Sequence, residues 1–144
     1  MDTLNTEHRL ALTFAAAWNR LERKLDGALG AIRGISLAEY RLLRALAEAP
    51  SAQASRVDLA AAVGLTPSGV TRALRPMEKL GMVSTLRSKR DARLAIAALT
   101  PAGRELLNDA SAVVDDTMQV LLQRSPQASA DADKLIDLLD DLGR

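Results

Sequence analysis

The stretch Leu59-Ala60-Ala61-Ala62-Val63-Gly64-Leu65-Thr66-Pro67-Ser68-Gly69-Val70-Thr71-Arg72-Ala73-Leu74 constrains this chain more than any other. Ser55-Arg56-Val57-Asp58 ahead of it has the spacing of a helix-opening box, in which a serine hydroxyl takes a backbone N–H three residues on. The helix so opened is short, because Gly64 stops it. Thr66-Pro67 opens another: the threonine caps, and proline sits at the first helical position, where its missing N–H has no partner to lose. Two helices separated by a glycine reversal form a helix-turn-helix, with Ala60 to Ala62 small enough to let the helices approach.

The second of these helices, read from Thr66 to about Leu80 and closed by Gly81, has two faces. Val70, Ala73, Leu74 and Met77 recur at i, i+3, i+4 and i+7 and belong to a core. Ser68, Thr71, Arg72 and Arg75 lie on the opposite side, with Lys79 a turn further on. Hydroxyls and guanidinium groups are donors that suit base edges and phosphates in a major groove. A solvated helix carrying a few arginines would look the same in isolation.

The segment after this helix adds weight. Met82 to Leu86 and Leu94 to Leu99 have strand character and flank Arg87-Ser88-Lys89-Arg90-Asp91-Ala92-Arg93, which predicts a β-hairpin with a basic tip. Arg87, Lys89, Arg90 and Arg93 suit a narrow, electronegative minor groove, and Asp91 among them fits as a residue that orients a neighbouring arginine. Charge is partitioned accordingly: residues 56–104 hold nine basic and three acidic side chains, whereas residues 105–144 hold three basic and nine acidic, so a whole-chain net charge of +1 conceals a basic middle and an acidic end.

Helices are expected on both sides. Phe14, Trp18, Leu21, Leu25, Leu29 and Ile32 mark one face of a first helix from about Leu4 to Ile32, ended by Gly30 and Gly34 and too long to be covered by a small domain alone. Ser36-Leu37-Ala38-Glu39 is a capping box opening a second helix with Leu37, Tyr40 and Leu43 on its apolar side; Pro50 to Ala54 reads as a loop. Thr100-Pro101 starts a helix to about Arg124 with Leu106, Val113, Val114, Val120 and Leu121 apolar, and after Ser125-Pro126 a last helix carries Leu135, Leu138, Leu139 and Leu142. The fold class is therefore mainly α: a winged helix-turn-helix with a β-hairpin wing and flanking N- and C-terminal dimerisation helices. It divides into residues 1–34, an N-terminal dimerisation helix, residues 35–99, the DNA-binding core, and residues 100–144, the C-terminal dimerisation helices.

Other chemistries are poorly supplied. The chain has no cysteine and one histidine, His8, which removes thiol chemistry and any single-chain Cys/His zinc site and leaves a Ser-His-Asp triad dependent on one near-terminal residue. Asp115-Asp116 and Asp140-Asp141 are sequence neighbours that point to different sides of a helix and make no acid/base pair. The sequence calls for no cofactor and no metal, and an enzyme is the least favoured reading. No apolar run is long enough for a membrane span, and the N-terminus has no basic segment leading into an apolar one, as expected of a cytoplasmic protein. Phe14, Trp18 and Tyr40, the only aromatic residues, are candidates to line a small-molecule pocket, or else plain core and interface packing. A winged-helix protein using the same surface for protein assembly or RNA is the main alternative to DNA binding.

In combination these segments resemble the MarR family of winged-helix regulators. The matching pieces are Gly34 to Leu43, Val70 to Leu74, Leu80-Gly81-Met82-Val83, Asp91-Ala92-Arg93 ten residues after Gly81, and Leu99 to Gly103. The resemblance implies a homodimer joined through its first and last helices and bound to double-stranded DNA at a pseudo-palindromic operator, with the Thr66–Leu80 helix in a major groove and the wing in a flanking minor groove. It implies that Arg93 reaches that groove held by Asp91, and that a small, often aromatic, effector releases a repressor from DNA. Three features depart from the pattern: Pro76 falls inside the recognition helix, where it is expected to bend or shorten it; the wing has no proline; and cysteine or histidine for redox or metal sensing is lacking.

Overall fold

The computed structural model describes residues 3–91 and 94–144. A long helix α1 (Thr6–Arg33) is followed by α2 (Leu37–Glu48), a 3-10 turn at Pro50–Ala52, strand β1 (Gln53–Ser55), α3 (Arg56–Val63), α4 (Pro67–Lys79), strands β2 (Val83–Arg87) and β3 (Ala95–Leu99), then α5 (Pro101–Gln123), α6 (Pro126–Ala130) and α7 (Ala132–Leu142). Among the described residues no helix is long and apolar enough to cross a membrane.

Local chemistry sets most of the boundaries. Asn5 caps α1 by accepting the His8 N–H, and Gly34, in the left-handed region at φ 69°, ends it; Gly30 lies inside the helix and its carbonyl receives the Gly34 N–H. Ser36 and Glu39 make both bonds of a capping box at α2. Thr66 and Thr100 cap α4 and α5 through the N–H groups of Gly69 and Gly103, each followed by proline at the first helical position. One cap is supplied from a distance: the Asp26 carboxylate of α1 accepts the Leu37 N–H at 2.6 Å, tying the start of α2 to the long helix.

The core lies where α1, α2, α4 and α5 converge on the sheet. Leu29, Leu42, Leu43, Leu46, Val70 and Leu74 are fully enclosed, and Leu25, Leu59, Met77, Val83, Leu106 and Leu107 pack with them. The start of α5 presses on the turn after α4: a Cβ added at Gly103 would lie 2.0 Å from the Met82 carbonyl oxygen, and the Thr100 hydroxyl meets the carbonyls of Gly81 and Met82 at 2.6 and 2.9 Å. Only a glycine allows that approach.

Three expectations change. The wing is a three-stranded antiparallel sheet, ordered β1-β3-β2, because Gln53 and Ala54, read as loop, and Ser55, read as a helix cap, pair with Ala98, Ala97 and Ile96. Entry to that edge strand turns through Ser51 and Ala52, both at positive φ (56° and 53°), conformations that non-glycine residues adopt only where the surroundings impose them. The final helix is two, α6 and α7, because the Asp131 carboxylate takes the Gln127 side-chain amide and its backbone leaves helical geometry (ψ 16°). Of the three small residues expected to bring α3 against α4, only Ala60 is buried; Ala61 and Ala62 face solvent.

Candidate nucleic-acid interface

The α3–α4 reversal is built on Gly64 at φ 71°, ψ 32°, with its N–H and that of Leu65 both returning to the Ala60 carbonyl. Any side chain at Gly64 would strain this backbone. From there α4 rises with Val70, Leu74 and Met77 buried and Ala73 half-buried, so the apolar face read from spacing is the face that packs. Ser68, Arg72, Arg75 and Lys79 are exposed, and the two arginines and the lysine form no ion pair among the described residues. Thr71 differs from the others: it is half-buried, and its hydroxyl donates to the Pro67 carbonyl at 3.1 Å, leaving the oxygen free to act as an acceptor only.

Pro76 does not shorten the helix, which continues to Lys79. Proline removes the donor for the Arg72 carbonyl, but both residues lie on the exposed side, where water can satisfy that oxygen. Beyond it the chain is held by the Leu80 N–H on the Pro76 carbonyl at 3.2 Å, the Met82 N–H on the Met77 carbonyl at 2.9 Å, and the burial of Met77.

The wing begins within four residues of α4. Its strands pair from Val83 opposite Leu99 to Arg87 opposite Ala95, and the Ser88 N–H bonds the Leu94 carbonyl at 3.0 Å. Ser88 also organises the tip: its hydroxyl oxygen accepts the backbone N–H groups of Arg90 and Asp91 at 3.2 and 3.4 Å. Arg87, Lys89 and Arg90 are exposed and Asp91 is half-buried. Arg93, and with it the pairing expected of Asp91, lies outside the described residues. Exposed cations thus stand on α4 and on the adjoining hairpin, with no acidic cluster of metal-binding kind among the described residues.

A residue that sequence reading passes over sits behind this surface. Arg56, the first residue of α3, bonds Glu78 near the end of α4 at 3.0 Å, with a side chain 18% exposed. No local spacing connects positions 56 and 78, so only the fold reveals the pair.

Comparison with known proteins agrees with this arrangement. The family model described as the MarR family matches residues 33–94. The uncharacterized HTH-type transcriptional regulator YdgJ of Bacillus subtilis (strain 168) is 32% identical over 114 residues, covering 79% of this chain; the match spans 65% of YdgJ's own length. Among solved structures, the transcriptional regulator BldR from Sulfolobus solfataricus superposes with a TM-score of 0.82 at 25% identity, covering 98% of this chain and 99% of BldR. Sco3205 from Streptomyces coelicolor, a MarR family transcriptional regulator solved in complex with DNA, superposes at 0.80 with 26% identity, covering 98% and 91%. Residues 33–94 thus match the MarR family, and the whole chain shares the fold of a solved MarR-family regulator.

The family match spans α2 to the wing and leaves most of α1 and all of α5 to α7 outside it, while the structural likeness covers those helices as well. The three aromatic residues do not converge. Phe14 and Trp18 join Ala17 and Leu21 of α1 and Leu135, Leu139 and Leu142 of α7 around an apolar hollow of about 590 Å³. Tyr40 is elsewhere, half-buried on α2 with its hydroxyl 3.1 Å from the Ser111 hydroxyl of α5. Nearness in sequence groups it with Phe14 and Trp18, but α2 packs on α5 and not on the N-terminal half of α1.

Proposed function

We propose that this chain is a sequence-specific, DNA-binding transcriptional regulator that acts in the cytoplasm as a homodimer on a pseudo-palindromic operator. The observation that carries the reading is the division of α4: Val70, Leu74 and Met77 lock it to the core while Ser68, Arg72, Arg75 and Lys79 remain exposed beside a wing bearing Arg87, Lys89 and Arg90. A helix so held presents donors at fixed spacing to base edges, and the wing cations lie where a flanking minor groove would pass. Arg93, reaching that groove with Asp91 as its support, belongs to the same proposal. The likeness to Sco3205, whose structure contains DNA, supports it.

The second copy is needed for geometric reasons. Leu10, Phe14 and Trp18 of α1 and Leu135, Leu138, Leu139 and Leu142 of α7 are each at least 40% exposed, an apolar surface of the kind that marks an interface. Residues 1–34 and 100–144 then act as dimerisation helices around the 35–99 core. The action is read as repression relieved by a small aromatic molecule; the apolar hollow beside Phe14 and Trp18 lies on the face assigned to the second copy, so such a ligand would bind at the boundary between the two subunits. Tyr40 has no part in that site.

Selection of bound fragments from a random duplex pool tests the reading. A two-fold related consensus, with affinity falling steeply as salt rises, is the expected result. Binding indifferent to duplex sequence, or preference for RNA or a protein partner, would replace it with the use of this surface for assembly. Titrating aromatic acids against the operator complex, with Trp18 emission followed in parallel, tests the effector; no change in either signal up to millimolar ligand removes it for the compounds tried.

A further inference from the structure

Three side chains far apart in sequence meet at one point behind the basic surface. Arg56 heads α3, Glu78 lies in the last turn of α4, and Thr85 lies in the middle of β2. Arg56 Nη2 donates to Glu78 Oε1 at 3.0 Å and lies 3.4 Å from Thr85 Oγ1, and the Thr85 hydroxyl donates to the same Glu78 oxygen at 2.5 Å. The Arg56 and Glu78 side chains are 18% and 30% exposed, and Arg56 Nη1 is buried without a hydrogen-bond partner among the described residues. One carboxylate oxygen therefore joins the first helix of the helix-turn-helix, the recognition helix and the root of the wing.

We propose that Arg56, Glu78 and Thr85 form a latch that sets the angle between α4 and the wing, and that they are positioning residues for operator recognition. The inference rests on the DNA-binding reading above. Pro76 gives the latch its purpose. It withholds the N–H that would have bonded the Arg72 carbonyl, so the last turn of α4 is tied to the turn before it by one backbone bond fewer and leans more on side chains for its direction. Major-groove contacts from α4 and minor-groove contacts from the wing have to be made together, and an error in the angle between them weakens recognition without altering Coulomb attraction to phosphate. Arg56 itself is too enclosed, and too engaged with Glu78, to serve as a phosphate contact.

The charges of the pair supply a test by sign. Arg56→Met removes a positive charge and Glu78→Gln a negative one. Acting through charge alone, the first weakens binding to DNA and the second tightens it. Acting as a latch, both weaken binding to the selected operator, by about 10-fold each, a loss the size of one good base contact. Neither then lowers affinity for scrambled duplex beyond its charge effect. The Arg56→Met/Glu78→Gln double variant loses no more than the worse single, as expected of residues acting as a unit. Thr85→Val, close in shape and neutral, weakens operator binding a few-fold and covers the case in which a charge variant fails to fold. A readout without DNA separates this proposal from the functional one: in the free protein each variant speeds amide exchange at residues 84–86 while exchange in α1 and α5 stays unchanged. If the wild-type chain selects no duplex, the DNA-binding reading falls and amide exchange still decides whether the latch exists. Tighter operator binding by Glu78→Gln with additive effects in the double variant, or unchanged exchange at the wing root in all variants, overturns the latch.

Discussion

Helices α4 and α7 carry similar amphipathic patterns and use them in opposite ways. In α4 the apolar residues Val70, Leu74 and Met77 are at most 1% exposed, and the polar face meets solvent. In α7 no residue is buried: Leu135, Ile136, Leu138, Leu139 and Leu142 are between 43% and 66% exposed. The N-terminal half of α1 behaves like α7, with Leu10, Phe14 and Trp18 uncovered, whereas its C-terminal half contributes Leu25 and Leu29 to the core. The contrast arises from position. Helix α4 lies within a layer of helices and sheet, while α7 and the first turns of α1 extend beyond that core, and a helix of 28 residues, roughly 42 Å long, outruns the domain that supports one end of it. An apolar stripe identifies a face that avoids water; it does not say whether the covering surface comes from the same chain.

Truncating each region would sharpen that difference. The largest effect is expected inside α4: Leu74→Ala removes a fully enclosed side chain and should cost about 2–5 kcal/mol in urea unfolding, at any protein concentration. In α7, Leu139→Asp should leave the unfolding of a dilute chain almost unchanged and weaken self-association on the order of 100-fold, because it places a charge in an apolar interface. Sedimentation equilibrium would report this as a shift from twice 15.4 kDa to 15.4 kDa at micromolar concentration. Emission from Trp18, the only tryptophan, should shift to the red in parallel as its ring loses the cover of a second copy. A wild-type chain that is monomeric at that concentration would break the comparison, since α7 would then be exposed in its working form.

Changes on the exposed faces should act on binding and hardly on stability. Arg72→Ala is expected to reduce discrimination between operator and scrambled duplex by about 1–3 kcal/mol, with its melting temperature close to that of the wild type. Equal losses on both duplexes would reduce Arg72 to a phosphate contact. The smallest effect belongs to Arg44→Ala, which removes an exposed i, i+4 pair with Glu48 at 2.8 Å; about 0.3–0.5 kcal/mol of stability is expected from thermal melts, and a larger loss would mean that Arg44 contributes more than this pair.

Much of the architecture is legible in the sequence because its signals are short. The Ser36–Glu39 box, the Thr66-Pro67 and Thr100-Pro101 starts, and the glycine reversals at Gly34 and Gly64 each act within about four residues of backbone, and all stand where their chemistry puts them. The two faces of α4 arise in the same way from a 3.6-residue repeat, so spacing alone names Ser68, Arg72, Arg75 and Lys79 as exposed donors. The basic hairpin is legible as two short apolar segments around a charged turn. Tertiary structure decided what depends on meeting a distant partner. Gln53-Ala54-Ser55 has little strand propensity and becomes a strand because the open edge of β3 offers it hydrogen bonds. Tyr40 leaves the other aromatics because α2 brings it to Ser111. Arg56, Glu78 and Thr85, as many as 29 residues apart, become one cluster only when α3, α4 and β2 are packed. Backbone capping and periodicity are local energies and leave their mark in consecutive residues, whereas strand pairing, side-chain bridges and the covering of an apolar face depend on contacts whose sequence separation carries no pattern.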